Sequence, residues 1–587
     1  MHAPPLRGEG DPLGPVPDPR SEVRGELKIL AADAQLRLDA NWVDYLLIAV
    51  YFLFVIGIGV LARRSVSSSL DFFLSGRSLP AWVTGLAFIS ANLGAVEIIG
   101  MSANGANYGI PTMHYFWVGA VPAMLFLGVV MMPFYYGSKV RSVPEFMNRR
   151  FGPAAHLVNA ISFALAQLLI AGINLFLLAS IVEVLLGWPL WVSLIVAAAI
   201  VLTYTALGGL SAAIYNEVLQ FFVIVAALLP LTIVGLNKVG GWDGLTDKVA
   251  SSSGGAEQLS SWPGTALSGF DNPVLSVIGI VFGLGFVLSF GYWTTNFVEV
   301  QRAMASSSMS AAQRSPIIGA FPKMFVPFIV IIPGMIAAVS VQELVQFKED
   351  GSGGATYNDA ILYLMRDLLP NGMLGVAIAG LLASFMAGMA ANISAFNTVF
   401  SYDLWQTYVV RDKEDSYYTT VGRVATVGAT VIAIGTATFA ASYENIMTYL
   451  QTLFGFFNAP LFATFILGMF WKRMTAAAVP ATRPDQPAAA VTIWVLSEDV
   501  LGVIGIGEQG GAFVAAGAAF VVDVVVSVLV SLRTTAKPES ELEGLVYSRT
   551  RRVDEHESVV ALPWFQQPTK LAGVALVLVI ALNILFW

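Results

Sequence analysis

The chain is organised as long runs of apolar residues separated by shorter polar segments. A hydrocarbon core about 30 Å thick requires about 20 apolar residues per helix, and fourteen runs approach that length. We therefore predict an all-α polytopic membrane protein with about fourteen transmembrane helices. The predicted spans are 43–62, 81–107, 115–136, 155–184, 189–207, 213–236, 273–297, 318–342, 372–402, 421–441, 446–470, 488–506, 511–532 and 570–587.

Four regions depart from this pattern. Residues 1–42 contain six prolines among mixed charges and no apolar run, which indicates a disordered tail and not a signal peptide. The segment 475–499 is interrupted by prolines and by Arg483. Its span is either a short interfacial helix or a local departure from the ancestral sequence, for instance through a compensated frameshift. Residues 238–272 and 346–371 are predicted to form two large outer loops.

Composition supports the membrane assignment. Apolar residues make up 56% of the 587 positions and charged residues 12%, against about 25% charged in an average soluble protein. No basic stripe of the kind that binds nucleic acid is present. Cysteine is absent and the four histidines are scattered, so thiol chemistry and a histidine metal site are disfavoured. We expect a protein that is not an enzyme and that binds no cofactor.

The distribution of Lys and Arg predicts an orientation. Segments after odd-numbered spans carry twenty-one of these residues, and segments after even-numbered spans carry four. Because basic residues favour the cytoplasmic side, we expect the odd-numbered loops in the cytoplasm and both termini outside a plasma membrane. The five basic residues of the tail oppose this orientation, but seven acidic residues accompany them.

Among the ionisable residues inside predicted spans, three stand out, namely Glu97, Glu217 and Lys323. A charged side chain at the bilayer centre costs at least about 2.5–3.5 kcal/mol, so each is a functional candidate. Glu97 follows a run of small and polar residues, Ser90–Ala95, and a similar weak point occurs at Ser289–Trp293. Two interrupted helices, five spans apart, are typical of inverted-repeat transporters with a binding site at the midplane.

Structural explanations stand beside these functional ones. Gly94 and Gly291 could serve close helix packing. Lys323 could extend toward an interface, and Glu217 could lie at a solvated helix end. Gln451, an amide inside a span, could form an interhelical hydrogen bond.

Six short motifs are spread over many of the predicted spans: Phe72–Pro80, Ser90–Asn92, Gly208–Ala212, Gln301–Arg302, Asp403–Trp405 and Phe470–Arg473. Together they resemble the sodium:solute symporter family, and in particular its sodium/glucose and sodium/galactose cotransporters. The resemblance implies a LeuT-type fold with inverted five-helix repeats at about 81–236 and 273–470. Additional helices at 43–62 and 488–587 complete a transporter domain over 43–587.

The resemblance also implies roles for individual residues. The sugar-binding asparagine, lysine and glutamine of the family fall on Asn92, Lys323 and Gln451, and the inner-gate tyrosine falls on Tyr292 beside Trp293. Amides and an ammonium offer paired donors and acceptors to sugar hydroxyls. An aromatic ring covers the apolar face of a pyranose.

The sequence differs from the family at other site positions. Glu97 replaces a Gln or His, and Phe116 replaces a carboxylate; Gly119 and Ser289 also differ. We expect Glu97 to restore the lost charge and to pair with Lys323. A sugar is the leading solute, with a polyol or another organic solute as the alternative.

The coupling-ion site is less complete. The family holds sodium with backbone carbonyls and two adjacent hydroxyls, and Ala387 and Gly388 stand where those hydroxyls would be. Since sodium requires several oxygen ligands, water or a serine such as Ser394 would have to complete the site. The matching sodium positions are Ser90, Leu93 and Ser384, and Glu217 occupies the acidic position proposed to guide the ion inward.

Three hypotheses follow from the sequence. The first is cation-coupled symport, with sodium as the cation, of a monosaccharide such as glucose or galactose. The second keeps the fold but is sodium-independent or uses a proton bound to Glu97. The third, a sensor or channel without transport, is least favoured because the sequence contains no appended signalling segment.

Overall fold

The computed structural model describes residues 38–63, 73, 75–138, 140, 142–352, 354–440, 446–479, 508–550 and 562–587. This part of the chain is helical, and its single β-bridge joins Leu79 to Ser306. The principal helices of the first half are α1 (Trp42–Arg63), α2 (Ala81–Asn92), α3 (Val96–Tyr108), α4 (Ile110–Ser138), α5 (Val143–Phe151), α6 (Pro153–Leu186), α7 (Leu190–Val239) and α8 (Gly241–Ala250). Those of the second half are α9 (Pro273–Thr295), α10 (Phe297–Met304), α11 (Met309–Lys323), α12 (Val326–Ser340), α13 (Gln342–Asp350), α14 (Ala360–Leu368), α15 (Met373–Val409), α16 (Asp415–Ala440), α17 (Ile446–Phe470), α18 (Glu508–Arg533) and α19 (Pro568–Leu585).

About ten membrane-crossing segments are present among the described residues. Ten helical segments are long and apolar enough to span a bilayer, and the bent pair α2 and α3 adds an eleventh if it is one span. Two shorter apolar stretches occur at Leu190–Thr203 and Asn458–Phe470. The count of fourteen spans stays a prediction, because the span predicted at 488–506 lies outside the described residues. Most of the tail predicted at 1–42 also lies outside them.

The interruption predicted in the second span is present. Helices α2 and α3 meet at an angle of 59°, and Leu93 leaves helical geometry with φ −73° and ψ 46°. The second interruption lies later than predicted. Ser289–Trp293 is helical, and the chain becomes extended only at Asn296. The side chain of Asn296 caps α10 by accepting a hydrogen bond from the Val298 amide at 3.0 Å. Asn favours this capping position because its oxygen satisfies a free backbone amide.

The two spans predicted at 189–207 and 213–236 form one helix. Helix α7 runs for 50 residues without interruption through Gly208 and Gly209, so it is about 75 Å long. Glycine inside a helix costs only about 1 kcal/mol relative to alanine. The glycine pair therefore does not end the helix, and the two predicted spans follow one another without a loop.

The two predicted outer loops also contain helices. Helix α8 lies within 238–272 and buries Leu245 and Val249, while α13 and α14 occupy much of 346–371. Helix α14 is strongly amphipathic and buries six successive residues from Ala360 to Met365. These segments are helical because their apolar faces pack onto the bundle. The glycine and serine content of the sequence does not reveal this packing.

Small residues bring the broken helix against the second half of the chain. A Cβ atom at Gly105 of α3 would overlap the carbonyl oxygen of Ile331 in α12, and one at Gly334 would overlap that of Ser102. Backbone contact of this kind is how membrane helices gain packing energy. It places the break between α2 and α3 beside the end of α11.

Candidate functional site

The break between α2 and α3 is held by polar contacts from two other helices. The Ala95 amide donates to Oδ1 of Asn174 in α6 at 3.0 Å, and the Ser384 hydroxyl of α15 donates to the Leu93 carbonyl. Gly94 lies against Gly388, because a Cβ on Gly94 would be 3.2 Å from the Gly388 Cα. The packing explanation for Gly94 is therefore correct, and the same glycine lies within the break.

A cavity opens beside this break. The volume of this cavity is about 100 Å³, below the range of about 300–1,000 Å³ usual for small-molecule sites. All four residues predicted to bind the solute and both predicted gate residues line it. They are Asn92, Glu97, Lys323, Gln451, Tyr292 and Trp293.

Lys323 is the charged centre of the cavity wall. Its ammonium donates to Glu97 Oε1 at 2.7 Å and also to the Asn92 carboxamide oxygen. The same nitrogen lies 5.0 Å from the ring centroid of Phe116 and 5.1 Å from that of Trp293. The Lys323 side chain is 1% exposed. It does not extend toward an interface, so that explanation is wrong.

The hydroxyl of Tyr292 connects Asn92 in the cavity wall to the carboxylate of Glu299 in α10. Its hydroxyl accepts from Nδ2 of Asn92 at 3.0 Å and donates to Oε1 of Glu299 at 3.1 Å. Its ring contacts that of Phe454, with centroids 4.8 Å apart. The adjacent Trp293 stacks on Phe88 at 5.6 Å. Tyr292 thus connects the cavity residue Asn92 to Glu299 of α10, whereas Trp293 packs against α2.

Gln451 lines the cavity with an amide oxygen that is unsatisfied among the described residues. Its side chain is buried, and its Oε1 has no hydrogen-bond partner in the described part of the chain. A buried acceptor without a partner costs about 1–3 kcal/mol, which a hydroxyl-bearing ligand would recover. The structure provides no partner for this oxygen that would support the interhelical hydrogen-bond explanation.

Two further amides line the cavity that sequence reasoning did not identify. Asn174 supports the break, as described above, and Asn392 of α15 donates from Nδ2 to the Gly388 carbonyl at 2.6 Å. The signal in the sequence that could have identified both residues is an asparagine inside an apolar span. Each lies in a helix without an obvious interruption, so the pattern alone gave it no position relative to the cavity.

Glu217 is buried in α7 and forms an ion pair with Arg302 of α10. The distance from Nη2 to Oε1 is 2.7 Å, and Nε contacts Oε2 at 3.4 Å. Both side chains are at most 1% exposed. The alternative of a solvated helix end is therefore wrong. Glu299, one turn before Arg302, is also fully buried and was not identified from the sequence.

The residues expected to bind sodium lie near the break. Leu93 and Ser384 are in direct contact, and Ser90 is buried with its hydroxyl lacking a partner among the described residues. A Cβ on Gly388 would lie 2.5 Å from Oδ1 of Asn174. The carboxamide of Asn174 thus occupies the space into which a side chain at position 388 would extend.

Comparison with known proteins identifies the family of the chain. The model of the sodium:solute symporter family matches residues 72–479, more than half of the chain. The chain belongs to this family. Its members are transporters and not enzymes, and the apolar helices make this chain a multi-pass membrane protein.

Similar curated proteins include sugar and polyol cotransporters. The sodium/glucose cotransporter of Vibrio parahaemolyticus is 29% identical over 452 residues, which cover 74% of this chain and 82% of that protein. The sodium/myo-inositol cotransporter 2 of Oryctolagus cuniculus is 28% identical over 493 residues, covering 80% and 69%. Human sodium/glucose cotransporter 4 is 29% identical over 470 residues, covering 76% and 68%.

A solved structure supports the fold. A Na⁺-coupled sialic acid symporter in a substrate-bound outward-open state aligns with a TM-score of 0.69 and 16% identity, covering 84% of this chain and 99% of that one. At this identity the likeness concerns the fold. This chain is therefore folded as a LeuT-like helical bundle.

Proposed function

We propose that this symporter is a secondary active transporter of a monosaccharide such as glucose or galactose, coupled to a cation, with sodium as the leading candidate. Transport proceeds by alternating access between two inverted five-helix repeats, in a plasma membrane with both termini outside. One observation carries the proposal. The side chains of Asn92, Glu97, Lys323 and Gln451 converge on one largely buried cavity that Tyr292 borders.

The chemistry of the cavity suits a polyhydroxylated solute. Two amides, an ammonium and a carboxylate provide both donors and acceptors, and the unsatisfied Oε1 of Gln451 accepts from a hydroxyl. The faces of Tyr292 and Trp293 cover the apolar side of a sugar ring. A solute lacking one matching hydroxyl leaves a buried group unpaired, at a cost of about 1–3 kcal/mol.

Three oxygens near the break support sodium as the coupling ion. These are the Leu93 carbonyl, the Ser384 hydroxyl and Oδ1 of Asn174, and hard cations prefer such ligands. In this proposal Ser90 belongs to the same site, and Glu217 lies on the path of the ion toward the cytoplasm.

A sodium-independent or proton-coupled transporter of a sugar, polyol or other organic solute is the second candidate. The observation that favours it is the lack of hydroxyls at Ala387 and Gly388. In the proton-coupled form, Glu97 carries the proton. Its contact with Lys323 opposes protonation, because the ammonium stabilises the carboxylate.

Uptake into proteoliposomes distinguishes the candidates. Radiolabelled glucose, galactose and myo-inositol are supplied with an inward sodium gradient, with choline replacing sodium, and with an inward proton gradient. We expect accumulation of a monosaccharide only with sodium. Accumulation that follows the proton gradient and ignores sodium supports the second candidate. Failure to transport any of the three solutes contradicts both the sugar and the polyol assignments.

The matched variants are Asn92→Ala and Asn237→Ala. Both remove the same carboxamide, but Asn237 is exposed near the end of α7. Uptake should fall in the first variant and stay at the wild-type level in the second. Equal uptake by both variants contradicts the placement of the solute beside Asn92.

A further inference from the structure

In the described part of the chain, the cavity wall and the buried region beside it contain more carboxylates than cations. Three acidic side chains, Glu97, Glu217 and Glu299, lie close to two basic ones, Lys323 and Arg302. Lys323 pairs with Glu97 at 2.7 Å, and Arg302 pairs with Glu217 at 2.7 Å. Within the described residues, no cation lies within 4 Å of the Glu299 carboxylate.

Glu299 is satisfied on one oxygen only. Oε1 accepts from the Tyr292 hydroxyl at 3.1 Å, while Oε2 is buried and has no hydrogen-bond partner among the described residues. Arg302 lies one turn away, but its guanidinium donates to Glu217 and, from Nη1, to the Val298 carbonyl at 2.9 Å. An ionised carboxylate with one bare oxygen is unfavourable in such a site.

We propose that Glu299 is a proton-binding site between the solute cavity and the cytoplasm, and that it releases its proton when the Tyr292 gate opens. A proton from water binds Oε2, which converts the carboxylate to a neutral acid, while Oε1 keeps the hydrogen bond from Tyr292. On opening, water reaches Oε2 and accepts the proton. The proton site stands on the geometry alone, whereas its link to a gate rests on the proposed function.

The surrounding groups support this assignment to Glu299 and not to its neighbours. Lys323 and Arg302 favour an ionised Glu299, and Glu217 opposes it, but each cation is already engaged by another carboxylate. Helix α2 and residues 373–398 of α15, both packed against α10, carry no ionisable side chain. On α4, Tyr135 donates its hydroxyl hydrogen to the Thr294 carbonyl at 2.7 Å and therefore donates no hydrogen bond to Glu299.

The consequence is a pH-sensitive gate. In the closed arrangement Tyr292 connects Asn92 to Glu299, so the proton on Glu299 favours closure of the cavity from this side. Raising the pH ionises Glu299, and solvation of Oε2 then favours opening. Sodium is not required for this step.

Infrared spectroscopy tests the proton site without any solute. Purified wild-type protein, Glu299→Gln and the exposed control Glu349→Gln are titrated from acidic to alkaline pH. We expect a carboxylic acid C=O component in the wild type and the control that persists above the pH at which exposed carboxyl groups ionise, weakens as the pH rises further, and is missing from Glu299→Gln. An identical band in all three proteins at every pH contradicts the proposal, as does a band that disappears on adding sodium at constant pH.

Thiol accessibility tests the link to the gate. Because the chain has no cysteine, Ser289→Cys places one thiol at the cavity wall. Its maleimide labelling rate is divided by the rate measured when Glu299→Gln is also present, so that the pH dependence of the thiol cancels. From pH 6 to pH 8.5 we expect this ratio of rates to rise about fivefold or more. A constant ratio overturns the link to the gate and leaves the solute assignment unaffected.

Discussion

The ammonium of Lys323 lies 2.7 Å from the carboxylate of Glu97, although the two residues are 226 positions apart and belong to different halves of the chain. The pair closes one wall of the cavity, and the Asn92 carboxamide accepts from the same ammonium. Position 116 carries a phenylalanine, whose ring centroid is 5.0 Å from that ammonium. The expected pairing of Glu97 with Lys323 is therefore present in the structure.

Breaking this ion pair on one side should destabilise the protein strongly. Glu97→Ala leaves a buried ammonium without its counter-ion, so we expect a loss of about 3 kcal/mol or more. The double variant Glu97→Ala/Lys323→Met should regain at least half of that loss, because the uncompensated charge is gone. Thermal unfolding of the purified proteins measures both effects. A double variant as unstable as the sum of its single variants contradicts the coupling.

Gln451 should contribute to solute affinity more than to stability. Its Oε1 has no partner to lose among the described residues, so Gln451→Ala should leave the unfolding midpoint nearly unchanged. Loss of one hydrogen bond to the solute predicts an increase in Kd of about 5-fold to 150-fold. Equilibrium binding of the transported solute checks the affinity. An unchanged Kd excludes Gln451 from the solute contacts.

Tyr292 should limit leakage through the closed protein. Tyr292→Phe keeps the ring against Phe454 but removes the hydroxyl that joins Asn92 to Glu299. We expect solute exchange across preloaded proteoliposomes to become several-fold faster. Tyr215→Phe, which removes an exposed hydroxyl from α7, is the matched control. Exchange at the wild-type rate in Tyr292→Phe contradicts a gating role.

The sequence located the cavity residues better than it located the helix breaks. Lys323 and Glu97 were identifiable because an ionisable group in an apolar span is costly, so few occur. The break after Asn92 was visible in its small and polar residues. The break at Asn296 was displaced in the prediction, since an asparagine that caps a helix resembles any other polar residue until its backbone contacts are known.

The burial of Glu299 could not be predicted from the pattern of apolar and polar residues. It stands in a short segment beside Gln301 and Arg302, which the charge distribution assigned to a cytoplasmic loop. Its burial arises because α10 folds back against α2 and α11. Such contacts between distant segments do not follow from local periodicity. The same limit applies to α7, which continues as a helix through two consecutive glycines.

Ser384 should control the response to sodium. Ser384→Ala removes the hydroxyl that donates to the Leu93 carbonyl, so a sodium site at the break loses one oxygen. We expect the sodium concentration for half-maximal uptake to rise about tenfold or more, with the solute affinity at saturating sodium little changed. Ser180→Ala removes a hydroxyl that contacts its own helix at Phe176 and should behave as the wild type. An unaltered sodium dependence in Ser384→Ala contradicts this site.

Lys348 provides a pH-dependent contact in the segment after α12. Its ammonium donates to the Ala106 carbonyl at 2.8 Å and to Oε1 of Gln258 at 2.9 Å. Burial lowers the pKa of Lys348 to about 8. Between pH 8 and the ordinary lysine pKa of about 10.4, the unfolded chain therefore binds more protons than the folded one. Stability contributed by this residue must then rise with pH over that interval.

The measurement compares unfolding of wild type and Lys348→Met at pH 7 and pH 9.5. We expect the wild type to gain about 1–2 kcal/mol relative to Lys348→Met between these values. Lys248→Met, at an exposed position of α8, removes the same charge without the buried contacts and should show no such change relative to the wild type. A wild type that instead loses stability relative to Lys348→Met contradicts the direction of the shift, because it requires the folded state to hold the proton more tightly.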